Sequence, residues 1–305
     1  MRRRFLSTLA LAVCAGFLGT TEAAAQGQDA GVERTCDMVR NFPEFHKCAK
    51  ENMGSFQPKL TPYGKPDMNG IWQPTRIAQD IEEITPGKYG RFPHMHTLIV
   101  DPPDGKIPYK PWAMRERFAN EQIYLSPTAV CLPVAQPRWS YSPVSPTGHR
   151  IIQQEDLIVF SMERLHTYRT IHMDGRPRLP GGVHLWQGDS RGHWEGNTLV
   201  IRTTNLNDLM WMDHIGTFMS PEVTTEERMT FVDENTIHYE QTVTDPNTFT
   251  QPWTLSVPFL RAMPSDPVAL MDLEDTTVEN CEPELIHMMN MGQVPFPGFY
   301  GIAPR

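Results

Sequence analysis

The sequence is poor in the features from which activity is usually read. It contains no serine nucleophile elbow, no His-Glu-x-x-His pair and no Walker or other glycine-rich phosphate loop. Repeats of solenoid length are absent, and strands do not alternate with helices, so a doubly wound sheet is not expected. Past the first residues no segment approaches the roughly 20 apolar residues of a spanning helix, and no membrane span is expected in the mature chain. Positive charge is short: 27 Lys and Arg face 36 Asp and Glu, a formal net charge of −9. Such a surface repels phosphate backbones, so nucleic acid is not an expected partner, and solubility accounts for the charge. Cysteine is scarce, with 5 residues and none at zinc-finger spacing.

The N-terminus, in contrast, carries a pattern. Arg2, Arg3 and Arg4 precede an apolar stretch from Phe5 to Gly19, and Ala23-Ala24-Ala25 follows with the small residues that a signal peptidase reads. That order predicts a secretory signal over residues 1–25, cleaved near Ala25, and a periplasmic or secreted mature protein. A lipoprotein signal at Cys14 wants a small residue before the cysteine, and Val13 stands there. Four cysteines follow the expected cleavage point, and in an oxidising compartment an even count reads as two disulfides. Three pairings are open. The expected one joins Cys36 to Cys48 locally and Cys131 to Cys281 as a long staple, the latter adding about 4–5 kcal/mol in the chain-entropy model.

Proline is abundant, at 28 residues against 21 glycines, which breaks long helices. A short helix is expected within residues 36–53 and another over 115–123. Strands are expected over Ile151–Met162, Leu165–Met173, Leu199–Thr203, Glu226–Val232, Thr236–Thr244 and Trp253–Leu260. Glu195-Gly196-Asn197 and Asp233-Glu234-Asn235 read as hairpin turns. The expectation is an all-β, mainly antiparallel fold, a lipocalin-like barrel or a sandwich meander, with few short helices and an irregular Pro-rich N-terminal part. A disulfide-containing extension over residues 26–66 would precede one β-rich domain over 67–305.

The run from Trp186 to Val200, Trp-Gln-Gly-Asp-Ser-Arg-Gly-His-Trp-Glu-Gly-Asn-Thr-Leu-Val, resembles the signature of a large family of secreted bacterial β-rich proteins. Further likeness lies in Pro66 to Trp72, Asp101 to Tyr109, Cys131-Leu132-Pro133 with Pro137-Arg138, and Asp174-Gly175-Arg176-Pro177. It extends to Glu227-Arg228 and to Asp245-Pro246 followed by Pro252-Trp253-Thr254, so nearly all of the mature chain is covered. The resemblance implies secretion and a β-rich fold. It implies no activity, since none is assigned to that family as a whole. Three positions depart from its pattern: Arg178 and Thr224 stand where the family has His, and Cys281-Glu282-Pro283-Glu284-Leu285 replaces Cys-His-Glu-Gly-Asn.

Side-chain parity then selects candidate site residues. Along a strand, Glu227 shares a face with Met229 and Phe231, Arg169 with Ile171 and Met173, and Glu163 with Leu157 and Val159. A charge on an apolar face needs a partner, so Glu163 and Glu227 are expected inside, meeting Arg169. They form either a register-fixing ion pair or the floor of a pocket. In the second case Glu163, Glu227 and Tyr239 would carry acid–base catalysis. Arg169, Asp174, Arg176, Asp189, Arg191, Trp194 and Arg228 would bind ligand, because a guanidinium fork suits a carboxylate or enolate. Turn chemistry alone accounts for Asp174-Gly175 and Glu195-Gly196. The expected ligand is a small hydrophobic or aromatic molecule, handled without a metal or other cofactor by lyase, isomerase, hydratase or hydrolase chemistry. A non-catalytic carrier of the same ligand is the first alternative. The second is a cupin-type metal oxygenase using His94, His96 and His184.

Overall fold

The computed structural model describes residues 34–36, 41–74, 80–82, 97–123, 127, 132–133, 136, 138, 148–162, 167–213 and 215–262. All of them belong to the unit Arg34–Arg305. The expected signal, Glu163, His94, His96, Cys131 and Cys281 lie outside the described residues.

The strands are β1 (Gly70–Pro74), β2 (Ile99–Asp101), β3 (His149–Gln153), β4 (Leu157–Met162), β5 (Thr167–His172) and β6 (Asp189–Glu195). They continue as β7 (Thr198–Thr204), β8 (Thr224–Asp233), β9 (Thr236–Thr244) and β10 (Trp253–Arg261). Two helices accompany them, α1 (Phe42–Asn52) and α2 (Pro111–Ile123). β1 pairs with β3, the strands from β3 to β10 pair in chain order, and β1 pairs back onto β10, so nine strands close into a barrel. β10 is shared at its other edge: its C-terminal half takes β1, and its N-terminal half takes the extra strand β2 at Thr254 and Leu255. The chain is therefore an all-β barrel with two short helices among its described residues.

Two-residue periodicity sorts the side chains. On β9 the odd residues Ile237, Tyr239, Gln241 and Val243 are buried and point inward, opposite the inward odd residues of β8 and β10. Trp72, Phe160, Met229, Phe231 and Phe259 belong to the one large core cluster. Each such side chain contributes about 1.5–3 kcal/mol when fully buried. The hairpin turns fall where the sequence predicts them. Gly196 turns β6 into β7 at φ +59°, and Asp233 turns β8 into β9 by accepting the Asn235 N–H at 2.9 Å.

α1 lies on the outside of this wall. Asn41 caps it, its side chain accepting the Glu44 N–H, and a proline sits in the first turn where no donor is missed. Phe45 and Ala49 pack with Val232, and the Phe45 ring lies 5.8 Å from the His238 ring on β9. Cys36 and Cys48 are joined as a disulfide with a Cα–Cα distance of 5.9 Å, as expected, tying the preceding chain to the helix.

Two expected elements come out differently. Ile151–Met162 is not one strand but the hairpin β3–β4, because the polar run Gln154-Glu155-Asp156 turns the chain, with the Gln154 N–H donating to the Leu157 carbonyl. The second helix begins at Pro111, four residues before Arg115, since proline is compatible with a first helical turn. One seam of the barrel also departs from the antiparallel rule. β5 and β6 run parallel and pair only at Ile171↔Ser190 and His172↔Arg191, because residues 173–188 carry the chain back before β6 begins. No described helix is long and apolar enough to cross a membrane.

Candidate functional site

The parity argument places Arg169 and Glu227 inside the barrel, and the structure joins them. Arg169 reaches inward from β5, and its NH1 and NH2 groups donate to the two oxygens of Glu227 at 2.8 and 2.6 Å. Its Nε donates to Ser190 Oγ at 2.9 Å and NH2 also donates to Thr203 Oγ1 at 2.6 Å. Tyr239 adds a third donor to Glu227, its hydroxyl lying 3.0 Å from Oε2. Arg169 is 3% exposed and Glu227 0%. Such a pair tolerates burial only because the geometry is bidentate and further polar groups fill the remaining valences. One side chain on β5 thus grips β6, β7 and β8, across the seam that has the fewest ladder pairs. Glu163 falls outside the described residues. The β4 face it was placed on, with Leu157 and Val159, is the half-buried one; Ile158, Phe160 and Met162 form the inner face.

A cleft of about 630 Å³ opens on the other side of the same seam. Its floor is the outward face of β5, with Tyr168, Thr170 and His172, and the outward residues Asp189 and Arg191 of β6. The loop after β5 forms the far wall, contributing Arg176, Leu179, Leu185 and Trp186. The loop is held to the barrel by polar contacts. Asp189, nearly fully buried, accepts the Leu179 N–H at 2.8 Å and pairs with Arg191 NH2 at 2.7 Å. Arg191 NH2 also donates to the Pro177 carbonyl at 2.9 Å. Arg178 donates to the carbonyls of Asp189 and Arg202. Gly188 lies at φ +64°, and a Cβ there would sit 2.6 Å from both Thr203 Cγ2 and the Thr204 carbonyl, so the loop rejoins β6 only through a glycine.

The cleft chemistry is mixed. Tyr168 (68% exposed) and Trp186 offer aromatic surface, and Leu179 and Leu185 offer aliphatic surface. Arg191 spends only NH2; its Nε and NH1 are buried without a hydrogen-bond partner among the described residues. His172 has a buried Nδ1 with no hydrogen-bond partner among the described residues. Desolvation, reinforced by Arg176 and Arg191, lowers its pKa, so the imidazole is neutral at neutral pH. Asp174 is exposed and hydrogen-bonded by Arg176, which holds its carboxyl down to about 2.

The structure gathers Arg176, Asp189 and Arg191 at the cleft, and Arg169, Glu227 and Tyr239 in the interior. Asp174 stands beside the cleft as the partner of Arg176. Trp194 and Arg228 are brought to neither. Trp194 packs half-buried against the core, and Arg228 pairs on the outer surface with Glu195 at 2.6 Å. His184 sits in the loop after β5, its Nδ1 3.0 Å from the Leu206 carbonyl, and His94 and His96 are outside the described residues. Sequence reasoning missed Tyr168, His172 and Trp186 as cleft residues. The signal for the first two was available: if Arg169 and Ile171 point inward, Tyr168, Thr170 and His172 must point out.

The fold and its cleft define a closed all-β barrel with a small-molecule-sized recess on its outer wall. In comparisons with known proteins, no family model, no curated protein and no solved structure matches the chain.

Proposed function

We propose that this chain is an exported small-molecule-binding protein, and that the cleft outside β5 and β6 holds a small hydrophobic or aromatic molecule bearing an acidic group. The observation that carries the reading is Arg191. Two of its three nitrogens are buried in the cleft lining without a hydrogen-bond partner among the described residues, while the third is fixed by Asp189 and Pro177. An unpaired guanidinium edge is costly to bury and is relieved by an incoming carboxylate or enolate. Tyr168 and Trp186 supply the surface against which an aromatic or aliphatic body packs. The interior pair Arg169–Glu227 then acts as the rigid support of β5, consistent with its sealed and satisfied state. Export rests on the N-terminal pattern, on the likeness to a secreted bacterial family, and on the Cys36–Cys48 disulfide, which suits an oxidising compartment.

One observation favours a second reading, an enzyme of lyase or isomerase type. His172 lies in the cleft as a neutral base with an unused buried nitrogen, beside two guanidinium groups suited to an oxyanion. In that reading the proton carrier is His172, and Glu163, Glu227 and Tyr239 are not required to reach substrate. Native mass spectrometry of protein incubated with a panel of aromatic carboxylates tests binding, and the expected result is a 1:1 complex. Product analysis on the retained compound separates the readings. A binder returns the compound unchanged; an enzyme converts it, and His172→Ala abolishes conversion while the complex persists. Failure of every acidic aromatic compound to bind overturns both.

A further inference from the structure

Round the barrel from the cleft, α1 packs on the outer wall at β10 and β2, and its side chains reach the outward face of β9, bringing two imidazoles and a carboxylate together. His46 Nδ1 is 3.2 Å from His238 Nε2 and 3.9 Å from Glu240 Oε1. His238 Nδ1 is 3.7 Å from Glu240 Oε2. One ligand atom from each of the three residues lies within 4.8 Å of the other two. The separation of the two nitrogens is informative. Two imidazoles at about 2.0–2.1 Å from one tetrahedral ion have nitrogens about 3.3–3.4 Å apart. His238 is 1% exposed, and its Nδ1 has no hydrogen-bond partner among the described residues. Ser256 Oγ on β10 lies 3.0 Å from His238 Nε2 and adds an oxygen to the same spot.

We propose that His46, His238 and Glu240 form a binding site for one divalent transition-metal ion of zinc type, clamping α1 to the barrel wall. His46 Nδ1, His238 Nε2 and one Glu240 oxygen are the protein ligands, and water or the Ser256 hydroxyl completes the sphere. The donor set selects the ion: imidazole suits zinc and its neighbours, whereas calcium and magnesium want oxygen throughout. A cation already occupies part of this place. Lys50 Nζ lies 3.2 and 3.1 Å from the two Glu240 oxygens. Its side chain is 44% exposed, so an arriving metal displaces it into water rather than into the core. Lys50 and the ion are competitors for Glu240, which gives the proposal a signature that a plain hydrogen-bond cluster lacks.

The test uses the untagged full chain, stripped with chelator and dialysed against zinc alone. The expected result is one zinc per chain by elemental analysis, and with cobalt substituted, the visible absorption of a four-coordinate nitrogen–oxygen site. His46→Ala, at a half-buried position between α1 and the wall, weakens zinc affinity tenfold or more, about 1.4 kcal/mol. Lys50→Ala acts in the opposite direction and tightens binding, which no loss of folding can imitate. Absence of stoichiometric zinc, or affinity that neither substitution moves, overturns the proposal. The cleft lies on other strands, so its ligand affinity is unchanged in every arm.

Discussion

Arg169–Glu227 inside the barrel links β5 to β8, and Arg191–Asp189 on its outer wall lies within β6; each is an arginine facing a carboxylate. Inside, the guanidinium meets its carboxylate through two nitrogens, and Ser190, Thr203 and Tyr239 take up further bonding positions. Outside, Arg191 meets Asp189 through NH2 alone and keeps Nε and NH1 unspent. The difference teaches that residue type does not separate a structural ion pair from a binding group. What separates them is how many bonding positions the fold has already filled, and whether a space of ligand size adjoins those left over.

The strongest way to break this contrast is to open the closed pair. Glu227→Gln removes the charged carboxylate that Arg169 grips through two nitrogens in a sealed interior, and a stability loss of about 3–5 kcal/mol is expected in denaturant unfolding. Replacing both partners, Arg169→Met with Glu227→Leu, recovers most of that loss; a double variant as unstable as the single one would show that the pair is not self-contained. The open pair responds differently. Arg191→Ala is expected to weaken binding of an aromatic carboxylate tenfold or more, about 1.4 kcal/mol, in calorimetric titration. Its midpoint of unfolding falls less than that of Glu227→Gln, because Asp189 retains the Leu179 N–H.

A third carboxylate sharpens the comparison through pH. Glu82 accepts the Ile107 N–H at 2.7 Å, but its Oε2 is buried without a hydrogen-bond partner among the described residues, and desolvation raises its pKa to about 7. The unfolded carboxyl titrates near its ordinary 4.5. Its contribution to stability is therefore complete below about pH 4.5 and is lost as pH rises through about 7. Glu82→Gln is expected to gain stability relative to the parent between pH 5 and pH 8 in parallel thermal scans, and an unchanged difference would contradict the assignment. The smallest effect belongs to Arg228, paired with Glu195 where both are well exposed. Arg228→Ala should change stability by less than about 1 kcal/mol and leave ligand binding intact.

Parity carried most of what was readable beforehand. Alternation along the strands showed Glu227 and Arg169 facing inward, and the turn residues at Gly196 and Asp233 located two hairpins. Residues Gln154 to Asp156 were read as strand interior, although three consecutive polar residues rarely continue a buried strand. β1 and β2 were not distinguished at all, being short, flanked by proline and defined by the partner they meet on β10 rather than by a pattern of their own. The cleft was half visible. Arg176, Asp189 and Arg191 stood out as turn-associated charges, but the floor at Tyr168 and His172 is created by tertiary placement of the loop after β5. The grouping of His46 with His238 spans 192 positions in the chain, which no local spacing reveals.

The sparse seam between β5 and β6 sets where this barrel breathes. Only two residue pairs join those strands, so their backbone amides have the least mutual protection, and hydrogen exchange there should proceed through small openings rather than global unfolding. Arg169 works as a rivet through that gap, and the recess sits directly over it. A molecule lodged outside would press the same joint that the rivet holds from within, so occupancy should register as slowed deuterium uptake at Thr167–His172 before any change in the rest of the wall.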